Sequence, residues 1–237
     1  MSPAKSTIEH PEWGTIIVAR NKRARRIILY PRPDGIHITV PAYATDSDIE
    51  RALAECGERL KEMQEKHRAE AIGEGFTINA ERFTLHVRQG EVGRPTLTGL
   101  DGAYTVFCPP SLDYSTTDAQ SLLKRLIKGA LRHRAKHYLT LRLKELAGVH
   151  GFRYDNSTVR DVHSRWGSCS TRGDISLSIY LMLLPERLID YVLLHELCHT
   201  VEMNHSERFW KLLDQCTAPA CAKELRKELK GFRNGLL

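Results

Sequence analysis

The chain has 237 residues, 41% of them apolar, and its 35 Lys and Arg residues exceed its 29 Asp and Glu residues by six. This composition is typical of globular proteins, and the length suits one large or two small domains. No apolar run approaches the roughly 18 residues of a membrane span, and the first five residues lack the apolar core of a signal peptide. We therefore expect a cytoplasmic protein with no membrane partner. None of the six cysteines forms a CxxC pair, which indicates reduced thiols rather than a disulfide framework.

The first half of the chain predicts short strands and one helix. Residues 1–12 are expected to form a tail. Ser47 and Glu50 have the spacing of a capping box and open an amphipathic helix of about five turns. Runs of β-branched or aliphatic residues predict strands, the first three as an antiparallel meander: 15–19, 26–30, 36–40, 76–87 and 104–108. Residues 13–115 are thus expected to form a β-rich N-terminal region with one helix.

The second half, 116–237, has mainly helical patterns of apolar residues and is predicted to form a second domain. Apolar residues recur at helical spacing through 122–147. Residues 175–180 alternate with period two and predict a strand at a sheet edge, and Pro185 suits the first turn of another helix.

The net charge is distributed unevenly between these two halves. Residues 1–118 carry 15 basic and 17 acidic side chains, whereas 119–237 carry 20 and 12. Within the second half, the predicted helix 122–147 contains eight Lys or Arg residues and one acid. A basic stripe of this kind can face nucleic acid, an acidic partner or water. Nucleic acid is therefore one candidate partner of this basic helix.

The motif that carries chemistry begins at His195. His199 follows four residues later, so on a helix both imidazoles lie on one face and can bind the same cation. Glu196 is rotated away from that face, but it can reach a water bound to the metal. His205 lies ten residues beyond His195, roughly 15 Å along a straight helix, so the helix must end and the chain must turn back for His205 to join the pair.

This pattern is specific. Eleven histidines in 237 residues give about 0.5 His-x3-His pairs by chance, and requiring the adjacent Glu and the third His lowers the expectation to roughly 0.003. A second pair, His133 and His137, lacks the Glu and is flanked by basic residues that oppose a cation.

Three neutral imidazoles and one water form the open tetrahedral site of catalytic zinc. We therefore predict Zn²⁺ as the cofactor, His195, His199 and His205 as its ligands, and Glu196 as the general base in hydrolysis of a peptide bond.

Several neighbouring residues stay open as candidates for supporting roles. Arg165 is a candidate for contact with an oxyanion or for a structural ion pair. His163 and Tyr191 are candidate donors to the reaction intermediate. Asp190 or Glu202 is expected to hold a ligand imidazole in its correct tautomer.

Four stretches together resemble the YgjP-like metallopeptidase family, which belongs to the zincin group and is related to the SprT-like proteins: RWGSCS at 165–170, DYV at 190–192, HELCH at 195–199 and NHSERFW at 204–210. The resemblance covers most of the chain and is weaker between 69 and 117. It implies the same ligands and base, and an α+β fold with a zincin-type metallopeptidase domain over 116–237, preceded by the β-rich region. It also implies that an edge strand, expected at 175–180, lines the cleft and pairs with a substrate peptide.

The leading prediction is a zinc-dependent metallopeptidase that acts on a peptide or protein. One alternative is a metal-dependent nucleotide phosphohydrolase whose basic residues hold the phosphates, although no Gly-rich phosphate loop is present. The other is a nucleic-acid-associated protein with secondary proteolytic activity, docked through the basic helix 122–147. SprT-like relatives are linked to proteolysis of proteins on DNA, and this link motivates the second alternative.

Overall fold

The computed structural model of the chain describes residues 5–32, 35–67 and 72–232. The chain divides between 70 and 71 into two compact units. Within the described residues the two units contain three small sheets and five α-helices, the mixed α+β composition that the sequence predicts. None of the described helices has the length and apolarity to cross a membrane.

The first unit is a four-stranded sheet followed by one helix. Its elements are β1 (Lys5–His10), β2 (Gly14–Asn21), β3 (Ile28–Arg32), β4 (Gly35–Pro41) and α1 (Asp46–His67). The strand order is β1-β2-β4-β3, and β2 runs parallel to β4. The predicted antiparallel meander is therefore wrong. Strand β4 takes the central position because Ile36, Ile38 and Val40 are almost fully buried, and alternation along one strand does not specify its partner.

Two local features of this unit also differ from prediction. Residues 5–10, expected as a tail, form β1 because they pair with β2 along the whole strand. The cap of α1 lies two residues earlier than predicted. The Asp48 amide donates to the Thr45 hydroxyl at 3.2 Å, and the Thr45 amide donates to the Asp48 carboxylate at 2.9 Å. This reciprocal pair satisfies the free amides at the helix start, so Ser47 and Glu50 are not needed for it.

The second unit begins with another four-stranded sheet and a long helix. Its first elements are β5 (Thr77–Ala80), β6 (Phe83–Gln89), β7 (Thr96–Leu100), β8 (Ala103–Cys108) and α2 (Thr117–His150), and the strand order is β5-β6-β8-β7. Strands β6, β7 and β8 contact α2. The compact unit therefore starts well before the predicted boundary between 115 and 116. Strand β7 was not predicted, because its mostly exposed residues give no apolar alternation.

The remaining elements build the part of the unit that holds the histidine motif. They are β9 (Ser157–Arg160), β10 (Gly167–Cys169), β11 (Ile175–Ser178), a 3₁₀ helix (Ile179–Leu183), α3 (Glu186–Cys198), α4 (Glu207–Thr217) and α5 (Ala222–Gly231). The strand order β10-β11-β9 places β11 in the middle, so the predicted edge strand at 175–180 is wrong. Ile175 and Leu177 are buried, which suits a central strand. In the described part of the chain, β10 is the edge strand that contacts α3.

Helix α3 is anchored at its start by a polar cluster. The Glu186 carboxylate accepts hydrogen bonds from the Tyr138 hydroxyl at 2.7 Å and from the Arg82 guanidinium. These two donors, Tyr138 first, hold the pKa of Glu186 below its usual value. The cluster thereby ties α3 to α2 and to the loop between β5 and β6.

Candidate metal centre

Helix α3 and the turn after it bring the three motif histidines together. The helix ends at Cys198, and the Glu202 amide donates to the Cys198 carbonyl at 2.9 Å, which turns the chain back. Ser206 then caps α4 by accepting from the Phe209 amide at 3.4 Å. This short turn places His205 beside the C-terminal end of α3, as the spacing required.

The three imidazoles converge on one point through their Nε2 atoms. The Nε2 atom of His195 lies 3.2 Å from that of His199 and 3.1 Å from that of His205. Four-coordinate zinc with Zn–N distances of about 2.0–2.1 Å separates its ligand nitrogens by about 3.3–3.4 Å. The donor set of three imidazoles and its spacing therefore fit a zinc ion.

Burial favours the neutral form of His195 and His205, and a hydrogen bond orients the ring of His199. The Nδ1–H of His199 donates to the Glu202 carbonyl at 3.1 Å, which leaves the Nε2 lone pair free. The predicted supporting role of Glu202 is thus performed by its backbone. Burial lowers the pKa of His195 to about 3, with the neighbouring imidazoles and Arg226 adding to the effect. Burial also lowers the pKa of His205.

Two aromatic residues of α4 fix the orientation of the imidazole rings. Phe209 is fully buried, and its ring stacks on His199 with centroids 4.5 Å apart. It also meets His195 edge-on at 4.9 Å. Trp210 stacks on His205 at 5.7 Å. Both rings belong to the helix that directly follows His205. The apolar periodicity of that helix could therefore have indicated that they pack against the histidines.

Glu196 lies against the edge strand β10. Its side chain is 5% exposed. A Cβ atom added to Gly167 would lie 2.6 Å from Glu196 Oε1, so glycine is the residue that leaves room for the carboxylate. Burial raises the pKa of Glu196 to about 7, and the positive charge of Arg165 opposes this rise.

A cavity of about 550 Å³ is lined by two of the three histidines, His195 and His205, and by Glu196. The candidate donors of the sequence prediction, Arg165, His163 and Tyr191, all belong to its lining. The His163 ring lies 3.9 Å from that of Tyr180, and its Nε2 is 3.9 Å from an Asp161 carboxylate oxygen. A groove of about 600 Å³ over the sheet β9–β11 shares three lining residues with this cavity: Arg165, Trp166 and Gly167.

The basic helix 122–147 is part of α2, and several of its charges are used inside the unit. Lys128 and Arg132 approach the Asp161 carboxylate at 3.4 and 3.6 Å. Arg142 donates to both carboxylate oxygens of Asp190, at 2.8 and 2.7 Å. Asp190 therefore joins α3 to α2 and does not hold a ligand imidazole. Nucleic-acid binding by this helix stays a prediction.

The second histidine pair of the sequence does not form a metal site in the described structure. His133 Nδ1 forms a hydrogen bond with the Tyr104 hydroxyl at 2.9 Å, while His137 is exposed. Among the described residues, the one His, Cys, Asp or Glu cluster with metal-ligand spacing is that of His195, His199 and His205.

Converging imidazoles beside a buried carboxylate are the arrangement of a metal-dependent hydrolase. A model of the YgjP-like metallopeptidase domain matches residues 25–232, and the chain belongs to this family. The chain is thus a metal-dependent peptidase, as its resemblance implied.

Two solved structures are also similar to part of the chain. Both are crystal structures of metallopeptidase zymogens. Abylysin of Pyrococcus abyssi is 26% identical, with a TM-score of 0.35, and the match covers 41% of this chain and 98% of that one. Jannalysin of Methanocaldococcus jannaschii is 19% identical, with a TM-score of 0.35, over 39% of this chain and 94% of that one. No curated protein matches the sequence.

Proposed function

We propose that the chain is a zinc-dependent peptidase in which His195, His199 and His205 hold the metal and Glu196 is the general base. The observation that carries the proposal is the convergence of three Nε2 atoms. The Nε2 atom of His195 lies 3.1 Å from that of His205 and 3.2 Å from that of His199. The Glu196 carboxylate lines the same cavity, one residue from the first ligand. A metallopeptidase family implies a divalent metal, and three imidazoles are a donor set that zinc takes in catalytic sites.

Bound zinc would supply Lewis acidity, which makes water a stronger acid and stabilises negative charge on the substrate carbonyl oxygen. The chain supplies the proton transfers. A carboxylate oxygen of Glu196 accepts a proton from the attacking water and returns it to the nitrogen of the leaving amine. Burial between α3 and β10 keeps this carboxylate in one orientation, and the Glu202 carbonyl keeps His199 in the tautomer that binds metal.

The edge strand β10 is suited to hold the substrate. Its backbone pairs with β11 on one side, and in the described part of the chain its other side has no partner strand. Gly167, the first residue of β10, adjoins Glu196. An extended peptide that pairs with this edge passes the general base, so β10 takes the role that the sequence prediction gave to 175–180.

The test combines metal analysis with kinetics. We expect the purified protein to bind one zinc ion and to cleave fluorogenic peptides until a chelator removes the metal. The Glu196→Gln variant keeps the zinc and loses about 10³-fold in kcat, within the range of general-base catalysis.

The matched controls are two histidine variants. His205→Ala loses zinc affinity, whereas His133→Ala, a histidine outside the cluster, keeps it. A wild-type protein that binds no zinc, or a Glu196→Gln variant with full activity, would contradict the proposal. Nucleoside triphosphates tested in the same screen address the phosphohydrolase alternative.

A further inference from the structure

Two arginines lie in the lining of the cavity beside the metal centre. Arg165 precedes β10, and Arg226 lies on α5. Both are exposed, and neither has a carboxylate partner among the described residues. Glu196 is the one acidic residue of the lining. The cavity therefore presents two guanidinium groups that form no ion pair in the described structure.

Both arginines line the cavity together with His195, His205 and Glu196. Arg226 lies over the ring of Trp210 at 5.1 Å, and Trp210 stacks on His205. Arg165 lies two residues before Gly167, the glycine that adjoins Glu196. These two cations thus belong to different elements and flank the same site.

Two cations in the lining favour a substrate that carries negative charge. Opposite charges attract with an energy that increases as their separation falls and as water is excluded, so an anionic group that enters the cavity is stabilised there. Elsewhere in the unit the chain gives such groups acidic partners, as Asp190 does for Arg142. The guanidinium fork matches a carboxylate with two parallel hydrogen bonds.

We propose that Arg165 and Arg226 form a subsite for a carboxylate of the substrate, which makes the enzyme selective for peptides that carry one next to the scissile bond. The inference rests on the proposed peptidase function and adds the substrate class. Two sources present the same chemistry: an Asp or Glu side chain, and the C-terminal carboxylate of a short peptide. The first source makes an endopeptidase with acidic specificity, and the second makes a carboxypeptidase.

The kinetic test uses the zinc-loaded protein and one fluorogenic peptide in four forms. The residue beside the scissile bond is Glu or Gln, and the C-terminus is free or amidated. We expect the favoured carboxylate to raise kcat/KM about tenfold, mainly through KM, as for one charge-assisted contact. The Arg165→Gln and Arg226→Gln variants lose this preference, and Arg226→Lys keeps part of it because the charge remains. Lys227→Gln, an exposed charge change on α5 outside the lining, leaves the preference intact.

A binding measurement separates this inference from the proposed function. Fluorescein-labelled forms of the four peptides are titrated with the zinc-loaded Glu196→Gln variant and followed by anisotropy. A preference for the carboxylate that depends on both arginines supports the subsite, even if the wild type cleaves none of the peptides and the peptidase proposal fails. Equal cleavage and equal binding of all four forms would overturn the subsite. A second result would also overturn the subsite: inorganic triphosphate displaces the peptide, and neither the side-chain nor the C-terminal carboxylate affects peptide binding. The cavity would then bind phosphoanhydrides.

Discussion

Replacing Gly167 by alanine tests whether Glu196 works from the position in which it lies. The backbone of Gly167 is outside the left-handed region, so alanine fits its conformation, and the added Cβ meets only the Glu196 side chain among its three nearest contacts. Those contacts are 2.6 Å to Oε1, 2.7 Å to Cγ and 2.9 Å to Cδ. An ordinary contact begins at 3.4 Å, so the carboxylate has to move by about 0.8 Å.

A displacement of this size has a predictable kinetic effect. Moving a reacting group by about 1 Å costs on the order of 100-fold in rate, equivalent to about 2.7 kcal/mol of activation free energy. We expect Gly167→Ala to lower kcat by about this factor, with bound zinc unchanged because the three histidines are not touched. Peptide turnover, zinc content and the melting temperature are measured on the same preparation.

The matched control is Gly148→Ala. Gly148 lies within α2, its Cβ would have no heavy atom within 4 Å, and alanine there is expected to stabilise the helix by about 0.5–1 kcal/mol without affecting kcat. A Gly167→Ala enzyme with wild-type kcat would refute the assignment of Glu196 as the base in this position. Loss of zinc in that variant would show that the clash is relieved by moving α3 instead.

Three further predictions concern the scaffold. Thr45→Ala lowers the free energy of unfolding by about 1 kcal/mol in urea titrations, whereas Ser47→Ala leaves it unchanged, because the capping hydrogen bonds belong to Thr45. Asp190→Asn lowers the free energy of unfolding by about 1.5–3 kcal/mol, because the partly buried Arg142 guanidinium loses its bidentate partner and keeps only the exposed Glu145. Zinc content, measured in parallel, stays the same, and a loss of zinc would contradict the structural role. Glu186 has a lowered pKa in the folded state, so its contribution to stability is complete well above pH 4.5 and is lost as the pH falls through the folded pKa. Glu186→Gln therefore flattens the acid side of a plot of unfolding free energy against pH. An unchanged slope in that plot would contradict this linkage.

Much of the candidate metal centre could be predicted because its signals are local. The helical spacing of His195 and His199, and the need for the chain to turn back before His205, follow from 1.5 Å per residue along a helix. Helices α1 and α2 could be predicted from apolar periodicity, which is also a local signal. By contrast, the place of β11 in its sheet could not be predicted, because the alternation of 175–178 reports which side of the strand is buried and not which strands lie beside it.

The sequence by itself determined the class of chemistry, metal-dependent hydrolysis. Residue types and spacings indicate three imidazoles, one carboxylate and the helix that carries most of them. The tertiary structure decided what surrounds them, because contacts between residues distant in sequence depend on how elements pack. In the folded chain the Glu202 carbonyl accepts a hydrogen bond from His199, and Asp190 binds Arg142 and not an imidazole of the motif. Gly167 lies next to Glu196. Packing of α5 beside α3 likewise brought Arg226, thirty-one residues beyond His195, to the cavity, and this neighbour has no signature in the local sequence.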